Sequence, residues 1–373
     1  MFDFFTYFIY LSLLAILVFL TNSRQEYATY ELDFGVSQKL SLKHFVALLI
    51  LSFVVGFRYE VGVDWEGYKD GFISIKNSSF ITYRDQYWEI GYFFINRAIA
   101  NVELSYEWMF FTVAMISWYF IFKSVPKFLL PLLLFFLFVD EYFFWSMNGV
   151  RQFAAMSIWL IAAKEIRNRN LLKYLLLIII ASLFHRTVLI FIPFYFMPYH
   201  KIYKKYLWIG LFIFSIIIGS SNIFVNFVET IIIYLGEKNE LIRLYVRYVE
   251  SNKFIIEETQ LGLGFLFKTL VNLIILLLSG IVIREHPKTT VYFILFFISA
   301  ILFNLSYNVQ LLCRINNYFL IMRSIVLSIS IWHFWQVPKF RFPVLVFCSL
   351  YFFLFLVAIY NSSNMCSPFN FTF

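Results

Sequence analysis

Long apolar runs decide what this chain can fold into. Phe2–Leu20, Leu263–Ile283 and Val344–Tyr360 are almost wholly apolar. A run of roughly 20 such residues matches the hydrocarbon thickness of a bilayer when helical. Lipid offers the backbone no hydrogen bonds, so an isolated apolar run satisfies its own and becomes a helix. The pattern recurs in about twelve segments, some shorter than a single crossing. They are Phe2–Leu20, Leu42–Phe57, Tyr106–Phe122, Phe128–Val139, Met147–Ala163, Tyr174–Phe184, Thr187–Met197, Leu207–Asn222, Leu263–Ile283, Thr290–Leu305, Ile315–Trp335 and Val344–Tyr360. Only 14% of the residues are charged, against about 25% in a soluble domain. The expected class is an all-α polytopic integral membrane protein, with 1–373 as a single membrane domain. Phe2–Leu20 lacks a basic leading region and a small-residue cleavage site, so it reads as a retained helix.

The net charge of +8 would raise nucleic acid as a partner in a soluble protein. Here the basic residues gather in short loops, the cytoplasmic bias expected of a membrane protein, and no nucleic acid is implied. Lys123–Lys127, Lys164–Lys173, Tyr199–Tyr206, Arg284–Lys288 and Gln336–Arg341 are placed in the cytoplasm on this ground. The alternation of sides then closes if 58–105 adds no net crossing. Ile90–Val102, interrupted by Asn96 and Arg97, accordingly reads as an interfacial or re-entrant helix. Tyr174–Phe184 and Thr187–Met197 read as a hairpin that rises from the cytoplasm, turns at His185-Arg186 and returns. Residues 58–105 and 223–262 become extracytoplasmic.

With sides assigned from the lysine-rich loops, several charged residues fall together on the outer face. These are Arg58, Asp64 and Glu89, then Arg151 at a helix start, then His185 at the hairpin turn. Arg243 and Arg247, four apart and so on one helical face, and Arg314 complete the group. Arginine binds phosphate through a bidentate, permanently charged fork. Each residue also has a plainer use: Arg151 as a headgroup anchor, Arg243 and Arg247 as a solvated face, His185 as a structural hydrogen bonder. Asp64 and Glu89 could simply pair with Arg58 and Arg84. The shared side favours a common site.

Arginines facing the membrane suit a lipid diphosphate, and a carboxylate or imidazole suits proton transfer from a hydroxyl. Aromatic faces suit sugar rings. The three cysteines, Cys313, Cys348 and Cys366, have no metal-ligand spacing. There is no phosphate-cradling glycine loop and no DxD-like metal motif, so neither a metal nor a cofactor is expected. The chemistry that fits is glycosyl transfer from a lipid-diphosphate donor. A polyprenyl-phosphate-sugar glycosyltransferase and a lipid-linked glycan flippase or transporter are the alternatives.

Five motifs in order, R-Y-E-V-G-V-D-W-E-G-Y from Arg58, W-E-I-G-Y-F-F-I-N from Trp88, N-G-V-R-Q-F-A-A from Asn148, L-F-H-R-T-V-L-I-F-I-P-F-Y from Leu183 and R-I-N-N-Y-F-L-I from Arg314, carry a resemblance. Over about Phe53 to Leu320 the chain resembles the EpsG-like and Wzy-type polysaccharide polymerases of bacteria. The resemblance implies a fold related to GT-C glycosyltransferases. It also implies polymerisation of undecaprenyl-diphosphate-linked repeat units into O-antigen or exopolysaccharide on the periplasmic face of the inner membrane. By motif match, Arg58 and Asp64 fall on the family's R-x-x-x-G-x-D element, and Glu89, Arg151, His185 and Arg314 on later ones. Many members carry a small hydroxyl residue after the histidine, where this chain has Arg186 and then Thr187. The expected assignment has His185, Glu89 or Asp64 as base. Arg58, Arg151, Arg314, Arg243, Arg247 and Tyr68 would hold the diphosphate and glycan. Expected partners are the lipid-linked donor and acceptor, membrane lipids and a chain-length regulator.

Overall fold

A computed structural model describes residues 3–22, 39–77, 88–219, 221–238, 246, 263–306 and 310–373. Among them every long element is helical, and the one extended pairing is an isolated bridge between Arg58 and Phe371. In chain order the helices are α1 (Phe4–Thr21), α2 (Leu42–Gly56), α3 (Trp65–Asn77), α4 (Ile90–Asn101), α5 (Tyr106–Ser124) and α6 (Leu130–Val139). There follow α7 (Tyr142–Asn148), α8 (Val150–Asn168), α9 (Leu171–Ser182), a 3-10 segment (Arg186–Phe196), α10 (Tyr199–Ile202), α11 (Lys205–Gly219) and α12 (Asn222–Lys238). The last are α13 (Leu263–Glu285), α14 (Thr290–Ser306), α15 (Gln310–Leu320), α16 (Met322–Trp335) and α17 (Arg341–Tyr360).

Among the described residues five helices are long and apolar enough to cross a bilayer, and two sharply bent pairs raise the number to as many as seven. The protein is therefore membrane-embedded. The number is smaller than the dozen expected from the apolar runs, for physical reasons. Leu42–Gly56, Leu171–Ser182 and Arg186–Phe196 are apolar but short. Helix α8 has the length, but Arg151, Lys164, Glu165 and Arg167 give it a charged character. Residues 222–238, expected to lie largely in a loop, form α12.

The chain divides into two compact units, one of Met1–Met197 with Leu327–Phe373, the other of Pro198–Val326. In the first, α1, α2, α5, α6 and α8 bury the apolar core, including the fully enclosed rings of Trp118 and Trp159. The second packs α11, α13, α14 and α15 around Phe212, Phe293 and Tyr318.

The hairpin at 171–197 has the expected outline and an unexpected return leg. Helix α9 rises, Leu183 to His185 turn, and the chain comes back as a 3-10 segment containing Pro193. A 3-10 helix rises about 2.0 Å per residue, so eleven residues reach about 22 Å, against about 16 Å as an α-helix. The Tyr174 hydroxyl donates to the Phe191 carbonyl and locks the two legs. At the hairpin base the Arg169 guanidinium donates to the carbonyls of Tyr195 at 3.0 Å and Met197 at 3.3 Å.

The direction of each helix in the first unit sorts its charges. Lys123 ends α5, Lys127 precedes α6, Arg167 ends α8, and Lys173 begins α9 beside Glu165 at 2.6 Å. All of these lie at the end of the unit opposite Glu89, Arg151 and the hairpin turn.

Candidate active site

Arg58 begins the polar stretch and is wholly enclosed. Its Nε donates to the Val61 carbonyl at 3.1 Å, Nη2 to Met147 at 2.8 Å and Nη1 to Val55. Phe110 covers the guanidinium at 4.1 Å, a cation–π contact. Burial pushes Arg58 down to about 10, which leaves it charged at neutral pH. This arginine staples the end of α2 to the α7–α8 junction. Expected to support the diphosphate, it has no surface to offer one in this structure. Gly62, in the same motif, has a φ of +103°. A Cβ there would also meet the Met147 carbonyl at 3.1 Å, so the motif's glycine is needed for conformation and for space.

Asn148 is the partner of that turn. Its Oδ1 accepts from the Val63 N–H, and its Nδ2 donates to the carbonyls of Phe144 at 3.0 Å and Asn364 at 3.1 Å. Residues 361–373 thus join the polar stretch. Tyr59 N–H donates to Asn370 at 2.8 Å, Gly62 N–H to Met365 at 2.8 Å, and Thr372 N–H to Phe57 at 3.0 Å. Burial pushes the Cys366 thiol up to about 12. Sequence reasoning missed both this C-terminal wall and Asn148. The Asn-Gly pair just before Arg151 was the available signal for Asn148.

Glu89 lies where three elements begin. It is the residue before α4 but does not cap it. The first-turn N–H groups of Gly91 and Tyr92 donate instead to the Leu183 carbonyl, at 2.9 and 3.2 Å. That contact seats the start of α4 on the hairpin turn. It requires glycine, because a Cβ on Gly91 would lie 2.7 Å from the Leu183 side chain and 2.8 Å from its carbonyl oxygen. The Glu89 carboxylate then faces two other donors. Arg151 Nη1 donates to one oxygen at 2.6 Å, and the Arg186 main-chain N–H to the other at 3.3 Å. Arg186 opens the 3-10 segment, and Arg151 stands in the first turn of α8.

Helix N-termini carry partial positive charge, and a cation in a first turn adds to it. Such a place attracts anions. Glu89 fills that demand from within the chain. The pair is half-open, with side-chain exposures of 24% for Arg151 and 11% for Glu89. Arg151 Nε is buried and makes no hydrogen bond, so the guanidinium retains donor capacity. Burial pushes the Tyr68 phenol up, and the charge of nearby Arg151 pulls it back. The guanidinium also lies 5.9 Å from the ring centres of Tyr68 and Tyr92. Half-buried Trp88 packs on Tyr92 at 5.0 Å.

His185 precedes Arg186 at the turn and is half-buried. The structure therefore brings Glu89, Arg151, Tyr68 and His185 to one end of the first unit. Asp64 is exposed near the start of α3, its carbonyl accepting the Tyr68 N–H at 3.1 Å. Arg314 is exposed on α15, in the second unit. Arg243 and Arg247, like Arg84, lie outside the described residues.

The profile of one protein family, the EpsG family, matches residues 43–371. The chain belongs to the EpsG family. The match takes in all five motifs and extends through the C-terminal wall that closes over Arg58. Membership in the EpsG family thus covers Glu89, Arg151 and the hairpin turn together. No curated protein and no solved structure shows significant similarity to the chain.

Proposed function

We propose that this protein joins polyprenyl-diphosphate-linked oligosaccharide repeat units into an O-antigen or exopolysaccharide chain. It does so by metal-independent glycosyl transfer at the periplasmic face of the bacterial inner membrane, within a fold related to GT-C glycosyltransferases. The observation that carries this reading is the Arg151–Glu89 pair at the start of α8, held against the His185-Arg186 turn. Membership in the EpsG family supports the repeat-unit polymerase class. The separation of this pair from the lysine-rich end of the unit supports the periplasmic assignment.

In the reaction an acceptor hydroxyl oxygen attacks the anomeric carbon of the donor. The bond from that carbon to the diphosphate oxygen breaks, and the lipid diphosphate leaves with the bonding electrons. Arg151 lies at a helix N-terminus, where it stabilises the charge that develops on the leaving group. The hydroxyl proton passes to His185 or to Glu89. A neutral imidazole is available near pH 7, and Glu89 becomes available once the diphosphate takes its place on Arg151. Tyr68 flanks Arg151 with its ring. Arg314, Arg243 and Arg247 are assigned to the glycan and diphosphate, Asp64 to proton transfer as a third candidate base, and Arg58 to the framework beneath.

The test is complementation of a deletion strain, with the surface glycan resolved on a gel. H185A and E89Q are each expected to shorten or abolish the ladder while the protein accumulates in the membrane. A wild-type ladder from both variants would remove this cluster from the chemistry. A product longer by one sugar, without a ladder from the wild-type protein, would point instead to a polyprenyl-phosphate-sugar transferase.

A further inference from the structure

At the basic end of the first unit, away from Glu89 and Arg151, α2 packs beside α5. Between them lies a cavity of about 550 Å³. Phe45 and Leu48 of α2 and Met115, Ile116 and Tyr119 of α5 line its apolar wall. Lys39 and Lys123 are the two charged groups on its lining, and Lys127 follows Lys123 by four residues. Phe45 and Tyr119 remain more than 40% exposed. An apolar trough with two lysines on its lining complements a molecule with hydrocarbon chains and an anionic head.

We infer that this groove is a binding site for an anionic diacyl phospholipid. Its acyl chains lie along Phe45, Leu48 and Ile116, and its phosphate lies between Lys39 and Lys123. Charge complementarity selects the anionic head, because juxtamembrane lysines attract anionic lipid surfaces. Position selects the source. Lys123 ends α5 at the same end as Arg167 and Lys173, whereas Arg151 begins α8 at the other. A polyprenyl carrier that reacts at Arg151 holds its phosphates at that other end. The phospholipid site is therefore separate from the reaction and lies in the opposite leaflet. Nothing in the groove requires the proposed activity.

Native mass spectrometry of the full chain in detergent, titrated with dioleoylphosphatidylglycerol, dioleoylphosphatidylcholine or undecaprenyl phosphate, tests the assignment. The phosphatidylglycerol adduct should form at lower lipid concentration than the phosphatidylcholine adduct. K39Q and K123Q should each weaken phosphatidylglycerol about fivefold, and the double variant roughly thirtyfold, with phosphatidylcholine unchanged. I116W, which fills the groove, should weaken both diacyl lipids. Equal binding of the two diacyl lipids would overturn the inference, as would full phosphatidylglycerol binding by the double variant or by I116W. Tighter binding of undecaprenyl phosphate, with displacement of phosphatidylglycerol, would reassign the groove to the carrier lipid and overturn it too.

Discussion

Replacing Arg58 by alanine separates a framework residue from a ligand-binding one. The guanidinium makes three hydrogen bonds to carbonyls, of Val55, Val61 and Met147. A hydrogen bond from a charged donor contributes about 1.5–3 kcal/mol, so three give roughly 4–9 kcal/mol gross. Burying the charge opposes this: pushing Arg58 down to about 10 costs about 3 kcal/mol. Truncation removes that burden but strands the carbonyls and leaves a void under Phe110. A net loss of about 4 kcal/mol is expected, large against the total of about 5–15 kcal/mol typical of a folded domain. R58A should therefore accumulate poorly in membranes, and its unfolding midpoint in detergent should drop sharply. R58K should recover part of the loss, because an ammonium can reach one or two of the carbonyls but lacks the planar fork. Membrane abundance by immunoblot and a fluorescence melt of purified protein read both effects. An R58A protein with wild-type abundance and midpoint, yet no polymer, would refute the reasoning and return Arg58 to the substrate.

Three further outcomes follow from the same geometry. G91A should loosen the hairpin turn from α4, because its Cβ meets Leu183 main chain and side chain; the expected loss is about 1–3 kcal/mol, read by a lowered unfolding midpoint and faster proteolysis near 183–186. G62A should lose about 1–2 kcal/mol, since alanine does not adopt a φ of +103° without strain, and a melt that matches wild type would count against the turn. Cys366 should resist maleimide at pH 8 in the folded protein and react once it is unfolded. The unfolded thiol ionises near 9 and the folded one near 12, so this group disfavours the folded chain progressively as pH rises above 9.

The sequence carried the class of the protein and the gathering of several candidate residues at one end of the first unit, for identifiable reasons. Apolar run length marks membrane helices whatever their packing, so α1, α13 and α17 were legible. The hairpin at His185-Arg186 was legible because two short runs with no loop between them have few other ways to fold. The meeting of Glu89, Arg151 and His185 followed from sidedness. Sidedness could not tell a residue at a site from one beneath it. Arg58 and Arg151 look alike in the chain, but carbonyls that enclose one and leave the other half-open are set by α7 and α8 packing. The 3-10 return leg was hidden because its composition also suits an α-helix, and the C-terminal wall because its contacts lie about 300 residues away along the chain. Helix α12 was read as loop because Glu229, Glu237 and Lys238 interrupt its apolar pattern.

The most direct test of the account is Arg151→Ala in a deletion strain, with membrane abundance and the surface-glycan ladder measured on the same cells. The account predicts normal abundance with the ladder lost, leaving single repeat units. A full-length ladder from the variant at wild-type abundance would contradict it.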